Sequence, residues 1–331
     1  MAARMEFCLL GPLTVRCAGA VVRIPPGKQR ALLAALLLNA GRVVSLDELA
    51  ETLWGAQPPP SARVSAQNYV MRLRKTLSVA GRPLINTQPG GYLISVDAGE
   101  LDATRFEELL GAAWEAARNR SWETTAGQAR AALALWRGEP LADVGSELLS
   151  HREAPRLTEM RLQALETRID ADLHLGRHTE VIAELRGLVT AHPMREQLHA
   201  LLMLALYRDS RQGDALAAYR HARSVLIEEL GIEPGPDLRE LHQRILASDP
   251  GLSPAELAVG GPARTAEEQS IQVAPRQLPI GVAHFVGREA ELAALSGLLA
   301  GGAAPPGIAV ISAIGGMAGV GKTALAVHWA H

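Results

Sequence analysis

Apolar positions change period along the chain, and the changes divide it. Short apolar runs at Phe7–Leu10, Leu13–Arg16 and Val21–Ile24 are punctuated by Gly11-Pro12 and Gly19, which predicts three short strands. Pro25-Pro26-Gly27 ends that pattern. Leucines at 32, 33, 36 and 37 then recur at helical spacing over Lys28–Leu38, closed by Asn39 and Gly41. Ser45 and Glu48 have capping-box spacing, so a second helix starts there with Leu46, Leu49 and Leu53 on its apolar face. The rigid stretch Gly55–Pro60 follows. Ser61 is placed to cap a third helix running to about Ser78, and the turn Gln88-Pro89-Gly90-Gly91 joins Leu84-Ile85 to Tyr92–Val96 as a hairpin.

From about Leu101 to Leu246 the period is helical almost throughout. Two segments, Gly176 to Pro193 and Gly213 to Pro234, have their glycines 37 residues apart, a tetratricopeptide-like repeat. In the second, Ala215, Tyr219 and Ala222 have the small, aromatic, small spacing that lets paired helices approach; Val181 and Leu185 occupy the matching places in the first. Phe106–Arg118 and Thr124–Trp136 read as an earlier pair ending at Gly138-Glu139-Pro140, with Trp114, Trp122 and Trp136 expected to fill its core. A helix pair cannot bury its apolar face alone, so three stacked pairs are expected. The fold class is therefore mainly α: an α+β winged helix-turn-helix over 1–97, then an all-α tetratricopeptide-like domain over 98–248. Residues 249–280, rich in Pro, Gly, Ala and Glu, read as a linker before a further segment, 281–331.

The third helix carries the first candidate chemistry. At 100° per residue Val70, Leu73 and Leu77 fall within about 40° of Ala66, a stripe for the core. Ser65, Asn68, Arg72 and Lys75 fall opposite, while Arg63, Gln67 and Arg74 flank the stripe and can reach outward. Cations, amides and a hydroxyl on one face can bind phosphates and base edges. A basic helix alone can equally be a solvated surface. A helix, a turn, a second basic helix and a hairpin together describe a DNA-binding winged helix, its last helix in the major groove. Overall charge conceals this. The formal net charge is −2, yet residues 1–97 hold 11 basic and 5 acidic side chains and the remainder 22 and 30. A basic head on an acidic body favours double-stranded DNA as the head's partner over a protein-docking scaffold.

Residues 1–97 resemble the OmpR/PhoB-type winged helix in their N-terminal sheet, in Val70-Met71-Arg72-Leu73-Arg74-Lys75 and in Gly91-Tyr92 of the wing. Leu9-Leu10-Gly11-Pro12 and Lys28-Gln29-Arg30-Ala31-Leu32-Leu33 are similar to the variant found in the SARP family, the antibiotic regulatory proteins of actinomycetes, in which a bacterial transcriptional activation domain follows the winged helix. The resemblance, over residues 5–248, implies a transcriptional activator of secondary-metabolite genes. Such a protein binds promoter direct repeats as a side-by-side dimer and recruits RNA polymerase holoenzyme through σ region 4, the β flap and the α C-terminal domain. DNA contacts are then expected from Arg63, Ser65, Gln67, Asn68, Arg72, Arg74 and Lys75, and from Asn86, Thr87 and Tyr92 of the wing. Trp54, Gly55 and Gln57 lie in the loop that faces polymerase in OmpR-type proteins.

A second motif lies near the end. Gly316-Met317-Ala318-Gly319-Val320-Gly321-Lys322-Thr323, after the strand-like Ile308–Ser312, fits the phosphate-binding Walker A pattern. Its glycines let backbone amides curl round phosphate oxygens, with Lys322 toward the β and γ phosphates and Thr323 toward Mg²⁺. Residues 281–331 resemble the opening of an NB-ARC (STAND) ATPase, Val286, Gly287 and Arg288 then lying near the adenine. No aspartate follows Asp249, so no Walker B carboxylate is present. The expectation is a truncated piece of a larger regulator: not an enzyme, needing no cofactor itself, its last segment incompletely folded, with ATP and Mg²⁺ used by the intact parent. The alternative is an ATP-regulated signalling ATPase whose catalytic part is cut off.

Other classes carry less. No apolar run approaches the 18 or so residues of a membrane helix, and the apolar stretch Phe7–Leu10 is shorter than a signal peptide needs. Two cysteines, Cys8 and Cys17, build no disulfide framework, and a cytoplasmic, reduced location is expected with no membrane partner. His174 and His178 are four apart but lack the rest of a zinc motif, so no metal is expected.

Overall fold

The computed structural model describes residues 4–252 and position 290. Three antiparallel strands open the chain, β1 (Met5–Cys8), β2 (Thr14–Cys17) and β3 (Ala20–Val21), in the order β1-β2-β3. Each sits a residue or more from its sequence expectation. Leu9 and Leu10 are fully buried but outside the ladder, because their amides are taken by the side chain of Asp102.

Helix α1 (Lys28–Leu38) has the expected bounds and is buried on nearly every side, from Ala31 to Leu37. Helix α2 (Leu46–Trp54) starts in the expected capping box: Ser45 Oγ accepts from the Glu48 amide and the Glu48 carboxylate accepts from the Ser45 amide. Helix α3 (Ala62–Leu77) buries Ala66, Val70, Leu73 and Leu77 as the periodicity predicts. Ser61 does not cap it through its side chain; the first turn closes instead by backbone bonds, Ala62 to Pro59 and Ser65 to Ser61. The wing is a tighter hairpin than expected, β5 (Ile85–Gln88) and β6 (Gly91–Ile94) turning over Pro89-Gly90. A short strand, β4 (Val44–Ser45), pairs with β6. Gly91 permits that pairing, since a Cβ there would lie 2.0 Å from the Val44 carbonyl oxygen.

The helical region holds α4 (Asp102–Arg118), α5 (Trp122–Leu133), α6 (Glu147–His174), α7 (His178–Ala191), α8 (Glu196–Arg208), α9 (Gln212–Leu230) and α10 (Pro236–Leu246). Helix α5 packs on α4 and α6, and α8 on α7 and α9. Helix α6 is 28 residues long and continues through Pro155, which has no amide to donate within it. It spans two apolar clusters. Leu149, Leu157 and Ala164 join the cluster built on α1, α3, β1 and α4, whereas Ile169 and Leu173 join that of α7 to α10. Ala215, Tyr219 and Ala222 are buried in the second cluster with Val181 and Leu185. Leu252 is buried there too, and Arg208 donates to its carbonyl, so Asp249–Leu252, expected as linker, belongs to the helical body. The tryptophans fill the core less than expected: Trp136 meets Phe106 edge-on at 5.4 Å, Trp122 stacks on His174, and Trp114 stays 39% exposed.

Sheet and helical region are tied by hydrogen bonds. Asp102 Oδ1 and Oδ2 accept from the amides of Leu9 and Leu10 at 2.7 and 3.1 Å. The Glu100 carbonyl accepts from Phe7, and its carboxylate from Met5 and Asp97 and from Arg82. Leu141, at φ 58°, donates to Leu9 and Gly11. Asp143 accepts from the Leu13 amide and pairs with Arg30, and Ser146 Oγ donates to the Thr52 carbonyl at 2.6 Å. Burial pushes the Asp102 carboxyl up, even against those two amides and the Arg137 charge. For Glu100, burial also acts upward, but the Asp97 and Met5 amides and Arg82 outweigh it and hold the carboxyl below the usual range. A depressed carboxyl stabilises the fold above its ordinary pKa and loses that contribution as pH falls through the folded value. Glu100→Gln should cost about 1–3 kcal/mol at pH 7. In urea unfolding from pH 7 to pH 3, the gap to the parent should narrow as Glu100 protonates; a constant gap would show the pairing to be uncharged.

Candidate nucleic-acid interface

Helix α3 is fixed from behind by its buried stripe, which leaves the opposite face to solvent. Gln67, Asn68, Arg72 and Lys75 are exposed there and Ser65 is half-buried. Among the described residues the side chains of Arg72 and Lys75 form no ion pair. The other two cations are engaged. Arg63 makes a two-pronged pair with Asp47 of α2, both bonds 2.8 Å, but both partners are exposed, so the pair is weak and exchangeable. Arg74 reaches the wing: it donates to the Ile85 carbonyl at 2.9 Å and to Thr87 Oγ1 at 2.8 Å and lies 5.5 Å from the centre of the Tyr92 ring. It joins helix to wing.

Of the wing residues, Thr87 is exposed, while Asn86 is half-buried and donates to Ser95 Oγ at 3.3 Å. Tyr92 is buried beneath Arg74 and faces the core, so it positions the wing and offers little surface. The α2–α3 loop is held at its entrance. Lys28 hydrogen-bonds the Leu53 carbonyl and lies 5.7 Å from the Trp54 ring centre, and Trp54 stacks on Tyr69 at 6.5 Å. Trp54 and Gly55 are half-buried; Gln57 is exposed. The polar face sorted from sequence omitted two apolar members, Val64 and Met71, which are 60% and 63% exposed. The same 100° rule that found the buried stripe places both opposite it. No comparable signal announced the Arg63 to Asp47 pair, which depends on how α2 meets α3.

Val286, Gly287, Arg288 and the phosphate loop Gly316, Gly319, Gly321, Lys322, Thr323 lie outside the described residues. Among the described residues no cluster of three or more His, Cys, Asp or Glu could hold a metal, and His174 stacks on Trp122 at 3.8 Å. No helix among them is long and apolar enough to cross a membrane.

Known families match along the chain. The family described as transcriptional regulatory protein, C terminal, matches residues 24–94, and the bacterial transcriptional activator domain matches residues 101–246. The regulatory protein DnrI of Streptomyces peucetius is 38% identical over 256 residues, covering 75% of this chain and 94% of DnrI. The chain belongs to the SARP family of transcriptional regulators. Another SARP-type relative, the regulatory protein AfsR of Streptomyces coelicolor, is 43% identical over 99% of this chain, which spans 32% of AfsR's length. The solved structure of Mycobacterium tuberculosis EmbR in complex with a low-affinity phosphopeptide superposes with a TM-score of 0.73 at 39% identity, over 75% of this chain and 66% of that one.

Within this SARP-type winged helix, Arg74 and Arg72 separate by test. Arg74→Ala should lower unfolding free energy by about 1–2 kcal/mol, since two hydrogen bonds and a cation–π contact go. Arg72→Ala should stay within about 0.5 kcal/mol. Equal losses in urea unfolding would show that Arg74 does not hold the wing.

Proposed function

We propose that the chain is a sequence-specific, DNA-binding transcriptional activator. The observation that carries this is the outward face of α3, where Asn68, Arg72 and Lys75 stand exposed on a rigid helix beside a docked wing. An amide and a guanidinium can each form two hydrogen bonds with a base edge in the major groove, and Lys75 can meet a phosphate. The matched families and the relatives' names as regulatory proteins support the reading. It acts on promoter direct repeats as a side-by-side pair, in the cytoplasm, switching on secondary-metabolite genes. The exposed Gln57 of the α2–α3 loop and the helical domain would meet RNA polymerase at σ region 4, the β flap and the α C-terminal domain. The chain's work is binding, not catalysis. Where this chain is part of a longer protein, the glycines of the phosphate-loop motif, Lys322 and Thr323 would supply the donor set for a nucleoside triphosphate and Mg²⁺.

Salt titration tests the reading. If each winged helix neutralises about five phosphates, log affinity for promoter DNA should fall with log salt at a slope near −4 to −5. Arg72→Ala should weaken specific binding by about 1–3 kcal/mol. A slope near zero would overturn it, and an unaffected Arg72→Ala variant would remove Arg72 from the DNA contacts.

A further inference from the structure

The centre line of the α3 face is not basic. At 100° per residue, Val64, Asn68, Met71 and Lys75 all fall within about 40° of the line opposite Ala66, with Arg72 and Ser65 to one side and Gln67 to the other. Along the axis the order is apolar, amide, apolar, cation. Val64 and Met71 are 60% and 63% exposed although each adjoins residues that are polar or charged. Val64 stands in the first turn, the part of a recognition helix that approaches base edges most closely. The cation beside it, Arg63, is turned back onto Asp47 of α2 and does not cover it.

An apolar side chain in the major groove has one complementary group on the bases, the C5 methyl of thymine. Seven helical residues rise about 10.5 Å, close to three base-pair steps of about 3.4 Å, so Val64 and Met71 match two thymines about three pairs apart. Asn68, between them, suits the N6 and N7 edge of an adenine. Arg72 and Lys75 at the flank and end of the stripe supply the charge that draws the face onto DNA. We propose that Val64 and Met71 determine specificity by packing on the methyl groups of two thymines that bracket an adenine read by Asn68.

This rests on the DNA-binding reading above, and the test separates the two. The full chain selects its operator from a random duplex library, and each thymine of that operator is replaced in turn by deoxyuridine, which differs only in lacking the methyl. In each repeat of the operator, two thymines about three base pairs apart should each weaken binding about three- to fivefold when demethylated, the transfer of one methyl from water. Val64→Ala should abolish the response at one of them and Met71→Ala at the other, while circular dichroism and melting stay as in the parent. If no operator can be selected, the DNA-binding reading itself fails. If an operator is selected but no deoxyuridine weakens binding, or if both variants keep the parent's full response, the methyl contact is overturned and DNA binding stands.

Discussion

Asp102 opens the first turn of α4, yet its carboxylate closes the end of β1. A strand that stops at Cys8 leaves the amides of Leu9 and Leu10 buried with no neighbouring strand, and an unpaired buried amide costs about 1–3 kcal/mol. One carboxylate serves both. Glu100, two residues earlier, does the same for Met5 and carries Arg82 and Asp97 with it. The N-terminal sheet is thus completed by the segment that begins the helical region, and Phe7, Phe106 and Leu110 share one apolar cluster across that seam. Without these acids the amides of Met5, Leu9 and Leu10 lose their partners.

The presentation of α3 follows from that seam. Helix α1 packs on α2 and α3, and Asp143 and Ser146 of the helical region hold α1 and α2 through Arg30 and Thr52. The recognition face is therefore aimed by contacts from both parts, while Arg74 sets the wing against it. Its electrostatics are divided the same way. On the α3 face Arg74 is engaged by the wing and Arg63 rests on Asp47 in an exposed pair, while Arg72 and Lys75, which form no ion pair among the described residues, face solvent together.

Much of this was readable in the sequence, for physical reasons. The leucines of α1, the capping box at Ser45 and Glu48 and the buried stripe of α3 are local patterns, set by residues three or four apart, and the structure keeps them. What escaped depends on residues distant in the chain. The end of β1 shifts because the acceptor of the Leu9 and Leu10 amides, Asp102, lies 93 positions from Leu9, and Tyr92 turns inward where Arg74 covers it. Helix α6 runs through a proline that local propensity reads as a break, since packing on α5 and on both apolar clusters outweighs one missing bond. The apolar centre of the α3 face was available to the same periodicity but is found only when exposed apolar residues are counted with the polar ones.

Native-state hydrogen exchange at Leu9 and Leu10 tests most directly whether sheet, recognition helix and helical region form one unit. Their amides should exchange with the same opening free energy as Val70 of α3 and Ala129 of α5, and Asp102→Ala should lower all of them together. Exchange at Leu9 and Leu10 that is markedly easier than at Val70 and Ala129, and indifferent to Asp102→Ala, would contradict it.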